Sequence, residues 1–174
     1  MIRFHRSGKR DAIVDFRGRR LGAVSINDTP LDVPRLTHGH LILPASALRA
    51  GENTVIAGFV ADIAPSGASI IRTEDASDGA TYLYTLLVPA DANQLFPCFD
   101  QPGLKARYTL SLDIPAGWQA VANGAALSTE SIEGRTRMRF AETQPLPTYL
   151  FAFTAGRFSI ETATRNGREL RMFH

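Results

Sequence analysis

Short apolar runs broken by glycine, proline and charged turns recur from one end of the chain to the other. Residues 12–16 (AIVDF) and 22–26 (GAVSI) are rich in β-branched and aromatic side chains, and each predicts a strand. Between them, residues 17–20 (RGRR) read as a solvated turn, and Asn27-Asp28-Thr29-Pro30 closes the second run with turn formers. Residues 40–43 (HLIL) predict another strand, stopped by Pro44. Residues 46–53 (SALRAGEN) predict one helical or 3₁₀ turn, capped by Ser46 and left through Gly51 in a left-handed conformation. A long strand over residues 53–62 follows, and Pro65-Ser66-Gly67 turns the chain again.

Residues 75–79 (DASDG) predict an exposed loop. Residues 81–88 (TYLYTLLV) are apolar or aromatic at both parities, which predicts a central strand buried on both faces. Residues 105–113 alternate instead. Ala106, Tyr108, Leu110 and Leu112 share one face, and Lys105, Arg107, Thr109, Ser111 and Asp113 the other, as in a half-solvated strand. Further strands are expected within residues 118–127, where Asn123-Gly124 is turn-prone, over residues 135–140 (RTRMRF), and in the aromatic segment 148–154. The chain closes in a hairpin, with residues 158–162 and 169–173 flanking Arg165-Asn166-Gly167-Arg168. Asn-Gly supplies the two positive φ angles of a type I′ turn. No stretch carries an amphipathic helix of three turns. The expected class is all-β: an antiparallel sandwich or saddle of small and large sheets, with at most one or two short helical turns, in one domain over residues 1–174.

Composition narrows the functional classes. Of 174 residues, 44% are apolar and 21% charged, which suits a packed core and not a disordered tail. Nineteen Lys and Arg against 17 Asp and Glu leave +2, too small a surplus for a phosphate-gripping face, so no nucleic-acid partner is expected. The longest uninterrupted apolar run, residues 55–61, is far short of the roughly 20 residues of a spanning helix, so no membrane partner is expected either. The first residues lack the apolar stretch of a secretory leader, which favours a cytoplasmic location and leaves the compartment otherwise open.

Candidate chemistry is sparse. The histidines are His5, His38, His40 and His174; His38 and His40 fall on one strand face, but no third ligand lies near them, and they read as strand-edge residues. Cys98, the single cysteine, excludes an internal disulfide, and its neighbours Pro97 and Phe99 make it a buried, inert thiol. Asn27-Asp28-Thr29 matches a glycosylation acceptor, but with Pro30 next it reads as a turn. Arg135, Arg137 and Arg139 form a solvated face balanced by Glu130, Glu133 and Glu142. Asp91 and Asp100 read as carboxylates that hold turns, and Phe96, Phe99, Tyr82, Tyr84 and Trp118 as core. Nucleophile elbows, phosphate loops and dinucleotide fingerprints are missing. No catalytic or metal-binding residue is expected.

One segment stands apart from generic β-sandwich sequence. Phe96-Pro97-Cys98-Phe99-Asp100-Gln101-Pro102, followed by Lys105-Ala106, closely resembles the signature of the amino-terminal domain of M1 family zinc aminopeptidases. Colinear support comes from Ala50-Gly51-Glu52-Asn53, from residues 69–72 leading into Asp78-Gly79, from Val121-Ala122-Asn123-Gly124, and from residues 147–153 (PTYLFAF). The resemblance implies a saddle-shaped β-domain preceding a thermolysin-like catalytic domain. That domain carries the zinc, the His-Glu-x-x-His helix and the Gly-x-Met-Glu-Asn strand, none of which occurs here. No cofactor is then expected in this chain, and the expected partners are the catalytic domain of the same polypeptide and a peptide substrate whose amino-terminal residue is removed. The resemblance further implies a piece trimmed at both ends, with His174 close to the start of the catalytic domain.

In the family, the segment before this motif reaches the active site and commonly carries a Gln and, two residues on, a Glu or Gln that help fix the substrate's ammonium. Counting back from Pro89 puts Leu86 and Val88 at these positions. Neither side chain accepts a hydrogen bond. Two readings fit them: apolar walls of the first-residue subsite with the polar anchors replaced, or core residues of a buried strand. Two other functional classes fit the chain as a whole, a non-catalytic scaffold or interaction domain of an M1-like protein and a free-standing β-sandwich binding module. The reading frame beyond His174 separates them.

Overall fold

A computed structural model of the chain describes residues 1–77 and 79–174, and among these nearly all regular structure is β, as expected. Asp78, in the loop expected over residues 75–79, lies outside the described residues. The chain divides into two compact units.

The first unit comprises Met1–Ile71, Leu86–Ala106 and Pro145–Phe151. Its strands are β1 (Ile2–Arg6), β2 (Ala12–Asp15), β3 (Arg20–Ile26), β4 (Thr29–Pro30), β5 (Arg35–Thr37), β6 (His40–Leu43), β7 (Gly51–Val60) and β8 (Ile63–Ala64); β9 (Ile70–Glu74) begins here and pairs parallel with β8. One sheet runs β1-β7-β3-β4 and a second β2-β6-β5. Alternate residues of each strand face inward, so Val14, Leu41 and Leu43 from one sheet bury against Val24, Ile26 and Val55 from the other. Phe4 and Phe99 pack on this core edge-to-face, 5.0 Å between ring centroids. Asn27 and Asp28 adopt positive φ (49° and 66°) in the β3–β4 turn. The Asn27 amide is held inside the fold: Nδ2 donates to Asn53 Oδ1 at 2.9 Å, and Oδ1 accepts from Thr54 N at 3.0 Å.

Residues 46–53 do not form the expected helical turn. Buried Asn53 takes its place, accepting from Arg49 N (3.0 Å) and donating to the Arg49 and Gly51 carbonyls (2.9 and 3.0 Å). A side chain thus satisfies the loop backbone that a helix would otherwise satisfy. Gly51 does adopt positive φ (86°), but there it opens β7.

The second unit comprises Arg72–Thr85, Arg107–Gln144 and Ala152–His174. It contains β10 (Thr81–Thr85), β11 (Ser111–Pro115), β12 (Gln119–Ala122), β13 (Ala126–Ile132), β14 (Arg135–Phe140), β15 (Phe153–Gly156), β16 (Ile160–Arg165) and β17 (Arg168–Phe173). β15 lies antiparallel between β10 and β12, and β14 between β11 and β13. Ile114, Ala120, Met138, Phe140 and Ala155 form the core, with Trp118, Leu110 and Leu112 packed against it. The strand expected over residues 105–113 begins only at Ser111. Tyr108, Leu110 and Leu112 are half-buried between exposed neighbours, so the alternation is real, but upstream pairing is broken into isolated links, a two-bond bridge between Ala106 and Leu146 and a bond from Thr143 N to the Tyr108 carbonyl (3.0 Å). Tyr84, expected in the core, is exposed.

Candidate functional site

The site is built on residues 86–106 of the first unit. Leu86 N donates to the Ser69 carbonyl at 3.0 Å, and Asp91 N to the Leu87 carbonyl at 2.9 Å. Leu87 is 2% exposed and plugs the unit's interior. In extended backbone the flanking side chains point the opposite way, and Leu86 and Val88 are 52% and 58% exposed. The doubly buried strand expected over residues 81–88 is therefore not formed. β10 ends at Thr85, and Pro89, joined to Val88 by a cis peptide, has no N–H to extend a ladder. The alternative that makes Leu86 and Val88 core residues is overturned by their exposure.

The loop then enters α1 (Ala92–Leu95), a single turn that opens a hydrogen-bonded cluster. Asn93 is buried. Its Nδ2 donates to Asp100 Oδ2 at 2.6 Å and to the Ala90 carbonyl at 3.1 Å, and its backbone N–H donates to the same carboxylate oxygen at 3.1 Å. Its Oδ1 accepts from Arg17 Nε at 2.7 Å, and its carbonyl from Arg17 N at 2.7 Å. Asp100 Oδ1 accepts from Thr148 Oγ1 at 2.6 Å. Asp91 accepts from Gln94 Nε2 at 2.6 Å and pairs with the Arg17 guanidinium at 3.5 Å. The 93–100 loop is joined to β2 as well. Asp15 and Cys98 exchange backbone hydrogen bonds, and Asp15 Oδ2 accepts from Asp100 N at 3.2 Å.

Asp91 and Asp100 thus hold turns, as the sequence implies, with every nearby donor belonging to the backbone or to a positioning side chain. Burial pushes the Cys98 thiol far above its ordinary pKa, and the carboxylates of Asp100 and Asp15 raise it further, so it is held as an inert thiol. His40 is committed to Asp15, Nδ1 to Oδ1 at 2.8 Å, while His38 occupies the β5–β6 turn at φ 52°. Among the described residues no three His, Cys, Asp or Glu side chains converge as a metal site requires, so these residues do not fit the zinc that the resemblance implies.

On the arginine face of β14, Glu130 stands opposite Arg137 as expected and favours its charge, but the direct partner is another residue. Arg137 grips Asp113 with two hydrogen bonds, 2.7 and 2.8 Å, and these hold the exposed Asp113 carboxyl below its ordinary pKa. Glu142 pairs with Arg107 at 3.7 Å. Sequence reasoning missed Asn93, Arg17, Asp15 and Thr148. Asp100 and Thr148 both lie in the segments that carried the resemblance, but Arg17 and Asn93 are 76 positions apart and no periodicity connects them.

Fold and site together describe an all-β domain that presents a tightly pinned apolar loop and gathers no catalytic side chains on it. Residues 23–150 match the family model of the Peptidase M1 N-terminal domain, and the chain belongs to that family. It is 33% identical over 171 residues to the Encephalitozoon cuniculi protein named "Probable M1 family aminopeptidase 1", covering 94% of this chain and 19% of that protein. It is 36% identical over 87 residues to human glutamyl aminopeptidase, covering 49% and 9% of the two chains. Rice aminopeptidase M1-A is 26% identical over 159 residues, covering 89% and 17%. The chain spans about a fifth of the length of the relatives it matches along most of its course.

Proposed function

We propose that this chain is the non-catalytic amino-terminal domain of a zinc-dependent aminopeptidase. It packs on a catalytic domain of the same polypeptide and lends its Leu86–Val88 loop to the subsite for the substrate's first residue. Family membership and the aminopeptidase names of the relatives support the peptidase reading. The observation that carries the loop's role is the exposure of two apolar side chains on a segment tied by Leu86 N to the Ser69 carbonyl and by Asp91 N to the Leu87 carbonyl. A mobile loop would lose its position on contact; this one is held before substrate arrives.

The chemistry of that wall follows from its side chains. Leu86 and Val88 offer apolar surface, about 25 cal/mol for each Å² they remove from water. They offer no acceptor to an ammonium group, which forgoes a charge-assisted hydrogen bond of about 1.5–3 kcal/mol. The subsite therefore favours substrates whose first side chain is apolar. On this reading the metal belongs to the accompanying catalytic domain.

Hydrolysis of amino-terminally unblocked peptides by the full-length polypeptide tests this. Activity is expected that vanishes with a chelator and returns with zinc, while the 174-residue chain with zinc alone releases nothing. Full-length protein that is inert toward such peptides, or a 174-residue chain that cleaves them by itself, overturns the reading.

A further inference from the structure

Among the described residues, the two strands of the terminal hairpin, β16 and β17, pair only with each other. All of β16 is exposed, and all of β17 except Phe173. A lone two-stranded hairpin is marginal in water, so its faces decide what it is for. Residues directly opposite in an antiparallel ladder share a face. The register therefore places Ile160, Phe173, Thr162 and Arg171 on one side, and Met172, Ala163, Leu170, Arg165 and Arg168 with Glu161 on the other.

The first face is anchored. Phe173 meets Phe158 edge-to-face at 6.1 Å, Phe158 meets Tyr82 at 4.9 Å, and Arg171 lies over the Phe173 ring. Ser159 and His174 close the base with two backbone hydrogen bonds. The second face is not covered. Leu170 and Met172, two residues apart on β17, are 52% and 57% exposed, and at the tip Arg165 and Arg168 stand opposite one another. Adjacent like charges disfavour the isolated hairpin and ask for an anionic surface in front of them.

The limits of the matches indicate the occupant. The family model ends at residue 150, before the hairpin begins. The alignment with the Encephalitozoon relative covers 94% of the chain and so takes in at least part of the hairpin, in a protein of which this chain is only 19%. At least part of the hairpin is thus shared with a much longer protein.

We infer that the Ala163–Leu170–Met172 face is a docking surface for the rest of the full-length polypeptide, on a patch that is apolar at its centre and carries carboxylates opposite Arg165 and Arg168. The inference rests on the reading that a further domain accompanies this chain.

Amide hydrogen exchange tests it in three proteins: the 174-residue chain, the full-length polypeptide, and the full-length polypeptide carrying Leu170→Glu with Met172→Glu. Residues 160–173 are expected to exchange at least about tenfold more slowly in the full-length protein than in the 174-residue chain. The double variant restores fast exchange there and leaves β7 as protected as before. Equal exchange in the first two proteins overturns the inference without needing the variant. Protection that survives the double substitution overturns it too, as does protection of the 174-residue chain that grows with its own concentration, which marks a second copy as the occupant. Failure of the underlying reading is seen separately, as absence of zinc-dependent peptide hydrolysis by the unsubstituted full-length protein.

Discussion

Asn93 is the side chain that joins the Ala90 carbonyl, Asp100 and Arg17. Asn93→Ala removes one donor from Asp100 and the acceptor of Arg17 Nε in a buried setting. A loss of about 2–3 kcal/mol is expected in urea unfolding. Leu86→Gln with Val88→Gln touches only exposed positions, and stability should stay within about 0.5 kcal/mol. Cys98 gives a pH signature. Its native pKa is raised, so the folded state keeps the proton that the unfolded thiol releases near pH 8.5. Its contribution is complete below that pH and declines as pH rises above it, by at most about 1.4 kcal/mol per unit. Cys98→Ala should show a shallower loss of stability between neutral and alkaline pH, read from urea curves; parallel curves would contradict the assignment. The thiol's inertness is legible from Pro97 and Phe99 beside it, whereas Asn93 looks like any polar residue of a short helix. Its partners come from β2 and from positions 100 and 148, which only the fold brings together.

Strands are legible where a run is bounded by turn formers and one face is buried. Residues 40–43 and 135–140 are read to the residue, and Asn166-Gly167 at φ 52° and 73° makes the expected hairpin turn. Residues 46–53 mislead because Ser46 and Gly51 imitate helix ends, while the loop is organised by Asn53, whose side chain turns back on it. Residues 81–88 mislead because an apolar run says nothing of where pairing stops, and Leu86 and Val88 end on the outside. Asn123-Gly124 is read as a turn, but the glycine is required for a different reason. A Cβ at Gly124 would sit 2.0 Å from the Ala141 carbonyl oxygen, a backbone atom that has no rotamer to move. Gly124→Ala should therefore cost about 2–3 kcal/mol in thermal or urea unfolding, despite the small size of the added methyl.

The chain taken whole has a near-neutral charge, a β-built core in each unit and a loop that carries apolar side chains outward. Its all-β class is written in the spacing of its runs and turns, and its family in one dense motif. The use of that motif is visible only in coordinates: Asp100 grips Asn93 and Thr148, and Asn93 in turn holds the Ala90 carbonyl just after the Leu86–Val88 segment. Function therefore turns on what those two side chains touch. The direct measurement is the ratio of kcat/KM for a leucine-first peptide to that for a lysine-first peptide, in full-length protein with and without Leu86→Gln and Val88→Gln. An apolar subsite wall predicts that the ratio falls by about tenfold or more, chiefly through KM for the leucine peptide. An unchanged ratio in a folded, active variant would place these residues away from the substrate and contradict the account.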